Sequence, residues 1–163
     1  MTGVLKIRPG VPADAGLVLE LVRELADYER LLHEVVADEA MLAQALFGDA
    51  PRVFCDIVET GGQAAGLSLW FYSFSTFAGR HGIYLEDLFV RPAFRGQGLG
   101  KALLARLAQR CLDENLARLE WSVLDWNAPS IAFYQAQGAQ MQDEWTRARI
   151  SGVDLARLAG AGA

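Results

Sequence analysis

The chain has 163 residues, of which 52% are apolar and 21% are charged, so it can bury a sizeable core and is not a disordered chain. Its formal net charge of −5 argues against nonspecific binding to nucleic acid. The acids concentrate early, since residues 1–60 hold eleven acidic and five basic side chains whereas the rest of the chain holds nine and ten.

The N-terminal segment predicts one strand and two helices. Residues 5–8 form a short predicted strand that Pro9-Gly10 ends. A helix is expected from about Asp14, because apolar side chains recur at helical spacing at Val18, Leu21, Val22, Leu25 and Tyr28. A second helix is predicted over residues 38–46.

Three strands are predicted next. Residues 53–59 and 63–74 are rich in β-branched and aromatic side chains, and Thr60-Gly61-Gly62 between them is a hairpin signal. Residues 83–90 form a further predicted strand. A glycine-rich loop follows, and then a helix from Gly98 to about Asn115.

The C-terminal segment predicts a strand over residues 119–124 and a short helix from the cap Asn127 to Gly138. Residues 145–150 alternate as a last strand, and residues 153–159 predict a terminal helical turn before a frayed tail at about 160–163. The order of elements predicts a mixed α/β sheet in a single domain over residues 1–163.

Cysteine, histidine and the N-terminus give few functional signals. Cys55 and Cys111 form no CxxC pair and are expected to be buried thiols in a reducing cytosol. No segment resembles a signal peptide or is long enough to span a membrane, so a cytoplasmic location is expected. With only two histidines, a histidine-rich metal site is not expected.

The loop in RPAFRGQGLGKALL (residues 91–104) predicts an anion site, because glycines allow close approach of backbone N–H groups and a helix N-terminus follows. A Walker loop is excluded, since its first glycine and its hydroxyl fall on Arg95 and Ala102. A dinucleotide fingerprint is weakened but still possible: five residues separate Val90 from Gly96, and Glu120 lies about twenty residues further on.

A third spacing, Arg95-x-x-Gly98-x-Gly100, occurs within IYLEDLFVRPAFRGQGLGKALL and is followed by WNAPSIAFYQAQGA. Together with IRPGVPADAGLVLELVRELADYE near the start, these segments resemble the GNAT superfamily of N-acetyltransferases, closest to the diamine (spermidine/spermine) and thialysine branch. The resemblance implies a GNAT acyl-CoA N-acyltransferase fold with a mixed, mostly antiparallel central sheet flanked by helices. It also implies acetyl-CoA as donor, no metal and a homodimer.

The resemblance implies that the glycine loop holds the pyrophosphate of acetyl-CoA. The loop residues concerned are Arg95, Gly96, Gln97, Gly98, Leu99, Gly100 and Lys101. In the family, the preceding strand pairs with the pantetheine arm through backbone groups, here those of Leu88, Phe89 and Val90. Asn127 and Ser130 are further expected contacts of the cofactor.

Acetyl transfer requires an amine that has lost its proton and an acid for the leaving thiolate. The resemblance favours Glu86 as a water-mediated base or ammonium binder, with Asp87 as a possible substrate contact. Strand alternation predicts that these two side chains lie on opposite faces. Tyr134 matches the family's general acid, which also contacts the cofactor.

The acceptor is expected to be a small cationic molecule with a primary amine, since an acid-rich segment attracts a cation. Tyr28 and Glu29 match the branch's YE, and Glu34, Asp38 and Trp145 are further candidates for this pocket. The segment STFAGRHG lacks the tryptophan of the polyamine enzymes, so a thialysine-like amino acid is as reasonable as a polyamine. Two other functions stay open: a non-catalytic acyl-CoA sensor and a dinucleotide-dependent oxidoreductase.

Overall fold

The computed structural model describes residues 4–161, which contain one five-stranded sheet. The strands lie in chain order: β1 (Leu5–Pro9), β2 (Phe54–Thr60), β3 (Gln63–Ser75), β4 (Arg80–Val90) and β5 (Leu119–Trp121). The first four pair antiparallel, and β5 pairs parallel with β4. The mixed, mostly antiparallel sheet of the predicted fold is thereby confirmed.

The helices also follow the predicted order, within one or two residues at most ends. They are α1 (Ala15–Tyr28), α2 (Glu39–Phe47), α3 (Leu99–Asp113), α4 (Ala128–Ala136) and α5 (Gly152–Leu158). Asp38 caps α2, because its carboxylate accepts a hydrogen bond from Met41 N at 2.8 Å. Within residues 4–161, no helix has the length and apolar character that crossing a membrane requires.

The core is divided between the two faces of the sheet. One cluster joins α1 and α2 to the strands, with its buried members at Val18, Leu21, Leu25, Leu46, Cys55, Ile57, Leu67, Leu69 and Phe89. A second cluster packs Leu99 and Leu103 of α3 against Val58 and Ala65. Both cysteines are buried free thiols, and burial raises the pKa of Cys55 to about 11.

The chain divides into two compact units, residues 1–122 and 123–163. The N-terminal unit contains the whole sheet together with α1, α2 and α3. The C-terminal unit contains α4 and α5 and, among its described residues, no strand.

The predicted strand over residues 145–150 is wrong. These residues form neither helix nor strand, and Trp145 and Ile150 are exposed by 80% and 47%. Alternating polarity stabilises a strand only where another strand supplies a hydrogen-bonding partner, and within residues 4–161 no strand pairs with this segment.

The register between β3 and β4 shifts once, at a bulge. Leu69 pairs with Asp87 and Trp70 with Leu85, so Glu86 is an additional residue without a direct partner on β3. The prediction that Glu86 and Asp87 lie on opposite faces assumed strict alternation along the strand. The bulge interrupts that alternation at these two residues.

Candidate active site

The glycine loop joins the end of β4 to the start of α3. A single 3-10 turn, Pro92–Phe94, comes first, and Gly96 and Gly98 follow with φ values of 77° and 79°. Gly98 is the residue that precedes α3, and no side chain caps the helix there. The first N–H groups of α3 therefore have no intrahelical acceptor and no side-chain cap, as an anion site requires.

Space at the loop also fits a phosphate ligand. A Cβ atom built on Gly96 or Gly98 would meet no atom within 4 Å, so the backbone there is open rather than packed against the protein. Gln97 and Lys101 are exposed beside it, and Leu99 anchors the helix start in the core at 3% exposure. The residues that the sequence singled out for a diphosphate thus form an open, uncapped and partly cationic turn.

Arg91 fixes the end of β4, where the loop begins. Its guanidinium binds the carboxylate of Glu24 at 2.8 Å and that of Glu20, both on α1. It also donates to the carbonyl of Ala64 at 3.1 Å, and Arg91 N donates to Ala65 O at 2.8 Å. We did not predict this role from the sequence, although acids at i and i+4 on α1 and a cation after β4 were available as signals.

The predicted pantetheine strand has an unpaired edge. β5 pairs only with residues 83–85 of β4, so residues 86–90 have no strand partner on that edge among the residues that the structure describes. On the opposite edge, Leu88, Phe89 and Val90 pair with β3. Backbone N–H and C=O groups along the free edge can pair with an amide-containing arm as a further strand would.

Three carboxylates meet where β4 passes the end of α1. The pKa of Asp87 is raised to about 7, chiefly by burial and in addition by the charges of Glu86 and Glu29. Burial also raises the pKa of Glu29. Glu86 is exposed, whereas Asp87 and Glu29 are partly buried. The cluster can bind a cation and, at neutral pH, can accept a proton.

The other acceptor candidates have different surroundings. Tyr28 is the last residue of α1, and Glu29 follows it at the end of the helix. Glu34 is exposed and lies 3.4 Å from His33, while Asp38 is committed to its helix cap. Within the segment STFAGRHG, residues 76–79 form the turn between β3 and β4, in which Phe77 is fully exposed.

The remaining predicted residues belong to the C-terminal unit. Asn127 is buried and caps α4, since its Oδ1 accepts from Ser130 N at 3.3 Å. Tyr134 lies on α4, partly buried, with its ring 5.3 Å from that of Phe133. Trp145 is exposed. The cap explains why Asn127 is suited to the start of this helix.

Comparison with known proteins agrees with this geometry. The family model described as "Acetyltransferase (GNAT) family" matches residues 18–139. A thialysine N-epsilon-acetyltransferase of Bos taurus is 38% identical over 94% of this chain and 96% of its own length. An L-ornithine N5-acetyltransferase of Arabidopsis thaliana is 29% identical over 92% of this chain and 86% of its own.

Among solved structures, an integron cassette protein from the mobile metagenome of V. cholerae superposes with a TM-score of 0.78 at 26% identity. The match covers 95% of this chain and 97% of that one. The mostly antiparallel sheet also excludes the doubly wound parallel sheet that a dinucleotide-binding loop would need.

Proposed function

Because the chain belongs to the GNAT family of acetyltransferases, we propose that it transfers the acetyl group of acetyl-CoA to the terminal primary amine of a small cationic molecule. The observation that carries this proposal is that an acidic site and an anion-binding site lie close together on one stretch of the chain. The carboxylates at Glu86 and Asp87 lie on β4, and the glycine loop before the uncapped helix α3 follows that strand after one 3-10 turn. The first site suits an ammonium group and the second a diphosphate.

The donor would be held largely by backbone groups. The loop from Arg95 to Lys101 would bind the diphosphate of acetyl-CoA through the α3 N-terminus, and the free edge of residues 88–90 would pair with the pantetheine arm. Asn127 and Ser130 of the C-terminal unit are the further contacts we propose. Acetyl-CoA supplies the activated thioester, and this chain supplies orientation and proton transfer.

Removal of a proton from the amine is the first chemical demand. An alkyl ammonium group with a pKa near 10.4 needs about 4–5 kcal/mol to supply the free amine at neutral pH. We propose that Glu86 and Asp87 act together, with Glu86 binding the ammonium group and either carboxylate accepting the proton directly or through water. The pKa of Asp87 near 7 supports a share in this step, because a base is most effective when its pKa is close to the working pH.

The amine nitrogen then forms a bond to the acetyl carbonyl carbon, and the carbon–sulfur bond breaks. Direct attack of this kind requires donor and acceptor to be bound together in a ternary complex. We assign protonation of the departing thiolate to Tyr134, because a phenol of ordinary pKa near 10 carries its proton at neutral pH and can donate it as the carbon–sulfur bond breaks. The phenolate then regains a proton from water. Its place on α4, after the capped start at Asn127, supports a defined orientation of the ring.

For the acceptor we favour an amino acid that ends in a primary amine. Relatives named for thialysine and for ornithine support this class. Tyr28 and Glu29 at the end of α1 would line the pocket for the acceptor. We keep Trp145 as a further proposed contact of the acceptor molecule. Polyamines are the second class, since they offer the same terminal ammonium group to the same carboxylates.

Three coarser features complete the proposal. We propose that residues 1–163 act as one acetyltransferase domain, which the near full-length matches to relatives support. We propose a homodimer, which the exposed aromatic side chains of Tyr72 and Phe74 on β3 support as an apolar contact surface. A cytoplasmic location is consistent with the two free thiols.

The test is release of free thiol from acetyl-CoA in the presence of thialysine, ornithine, lysine, spermidine or an aminoglycoside. We expect turnover with at least one amino-acid amine, and mass spectrometry should find the acetyl group on its terminal nitrogen. Binding of CoA without turnover on any of these amines would favour the acyl-CoA sensor instead.

A further inference from the structure

Arg95 is turned back toward the protein from the glycine loop that it begins. Its Nε donates to the carbonyl of Val90 at 2.9 Å, which closes the loop on the end of β4. Its guanidinium carbon lies 4.9 Å from the centre of the Tyr28 ring and 5.7 Å from that of Phe89. An arginine at these distances is attracted to the electron-rich faces of aromatic rings.

Tyr28 brings this contact to the acidic cluster. It is the last residue of α1, and Glu29, which raises the pKa of Asp87, follows it directly. The chain then turns sharply at Arg30, whose φ is 62°, and Leu31 N donates to Ala26 O at 2.7 Å. The end of α1 is therefore a fixed support with Arg95 on one residue and a carboxylate of the acceptor site on the next.

We propose that Tyr28 is a positioning residue for the donor site: its ring holds Arg95 and thereby keeps the glycine loop in the shape that binds the diphosphate. The inference rests on the proposed function and gives Tyr28 a task beyond lining the acceptor pocket. Loss of the ring should weaken CoA binding although Tyr28 is 67 residues away from Arg95 in the chain.

The alternative is that the contact merely contributes to folding stability. A second arginine–aromatic contact serves as the control for a role in folding alone. The guanidinium carbon of Arg110 lies 5.0 Å from the centre of the Trp70 ring, three turns along α3 from the loop. Removal of the Arg110 guanidinium should cost stability of a similar kind without touching the loop.

The experiment is titration calorimetry of CoA alone against the full chain. We expect Tyr28→Leu to raise the Kd for CoA about threefold to tenfold, while Tyr28→Phe, which keeps the ring, stays within about twofold of wild type. Arg110→Met should lower Tm and leave the Kd unchanged. A Tyr28→Leu protein that binds CoA as tightly as wild type overturns the inference, as does an equal loss in Tyr28→Phe.

Two further readouts guard against a simple folding defect. In turnover assays, Tyr28→Leu should raise KM for acetyl-CoA, whereas a smaller folded fraction would lower kcat alone. In an Arg95→Met background, Tyr28→Leu should have no added effect on the Kd for CoA. Additive losses of affinity would contradict the claim that Tyr28 acts through Arg95. Failure of the wild-type chain itself to bind CoA would instead overturn the proposed function.

Discussion

Asp87 is the residue whose ionisation depends most on its surroundings in the proposed site. Its pKa of about 7 means that the folded protein keeps a proton on this carboxyl between about pH 4 and pH 7, where the unfolded chain has released it. The contribution of Asp87 to stability therefore falls as pH rises through this range, because the folded state keeps this proton and the unfolded state does not. Above pH 7 the carboxylate is charged beside Glu86 and Glu29, and the full cost is present.

Replacement of Asp87 by Asn should accordingly stabilise the protein in a pH-dependent way. We expect a higher Tm than wild type at pH 8, by roughly 2–4 °C for each kcal/mol of repulsion and desolvation relieved. The difference should shrink toward zero near pH 4. Scanning calorimetry at several pH values measures it, with Glu34→Gln as an exposed control, and a Tm gain that is the same at pH 4 and pH 8 would contradict the raised pKa.

The proposed role of Tyr134 as general acid depends on a single hydroxyl group. Tyr134→Phe should lower kcat by about 10²–10⁴-fold and leave the affinity for CoA nearly unchanged. Stopped-flow or steady-state thiol release gives the rate, and calorimetry gives the affinity. An unchanged kcat would remove Tyr134 from the mechanism.

At the scale of elements, β3 and β4 approach each other very closely at Gly66. This residue pairs with Val90, and a Cβ on it would run into the carbonyl oxygen of Phe89. A side chain cannot be fitted there without moving the backbone of the proposed pantetheine strand.

Gly66→Ala should therefore cost about 1–3 kcal/mol and raise KM for acetyl-CoA. Gly16→Ala on α1 is the matched control, since the atoms nearest to its Cβ would be those of the flexible Glu39 carboxylate, the first at 3.2 Å, and alanine favours a helix. Denaturant unfolding and initial rates measure both effects. Equal stability and equal KM for acetyl-CoA in the two variants would mean that the close approach of the strands at Gly66 does not affect donor binding.

The helices and strands show what the periodicity of apolar residues can and cannot predict. The helices α1 and α3 were predictable because each presents an apolar stripe to a face of the sheet. The strand predicted for residues 145–150 failed, since alternation carries no information about a pairing partner. The bulge at Glu86 could not be predicted from the sequence either, because an additional residue changes the strand pairing without changing the composition of the strand.

At the scale of the whole molecule, the candidate site combines one part that sequence spacing reveals and one that only tertiary structure brings together. The loop from Arg95 to Gly100 is local, so its spacing indicated an anion site directly. The stack of Arg95 on Tyr28 and the effect of Glu29 on Asp87 join residues far apart in the chain. Contacts of this kind depend on how α1 packs against the sheet, which no local pattern specifies.

The pH dependence of kcat/KM shows whether the β4 carboxylates take the proton from the amine. With an amine that supports turnover, wild-type kcat/KM should rise with pH up to about 7 as the Asp87 carboxyl loses its proton. Asp87→Asn should lose that limb and most of the rate, while Glu34→Gln should keep both. A wild-type limb near pH 7 that survives unchanged in Asp87→Asn and in Glu86→Gln would contradict the claim.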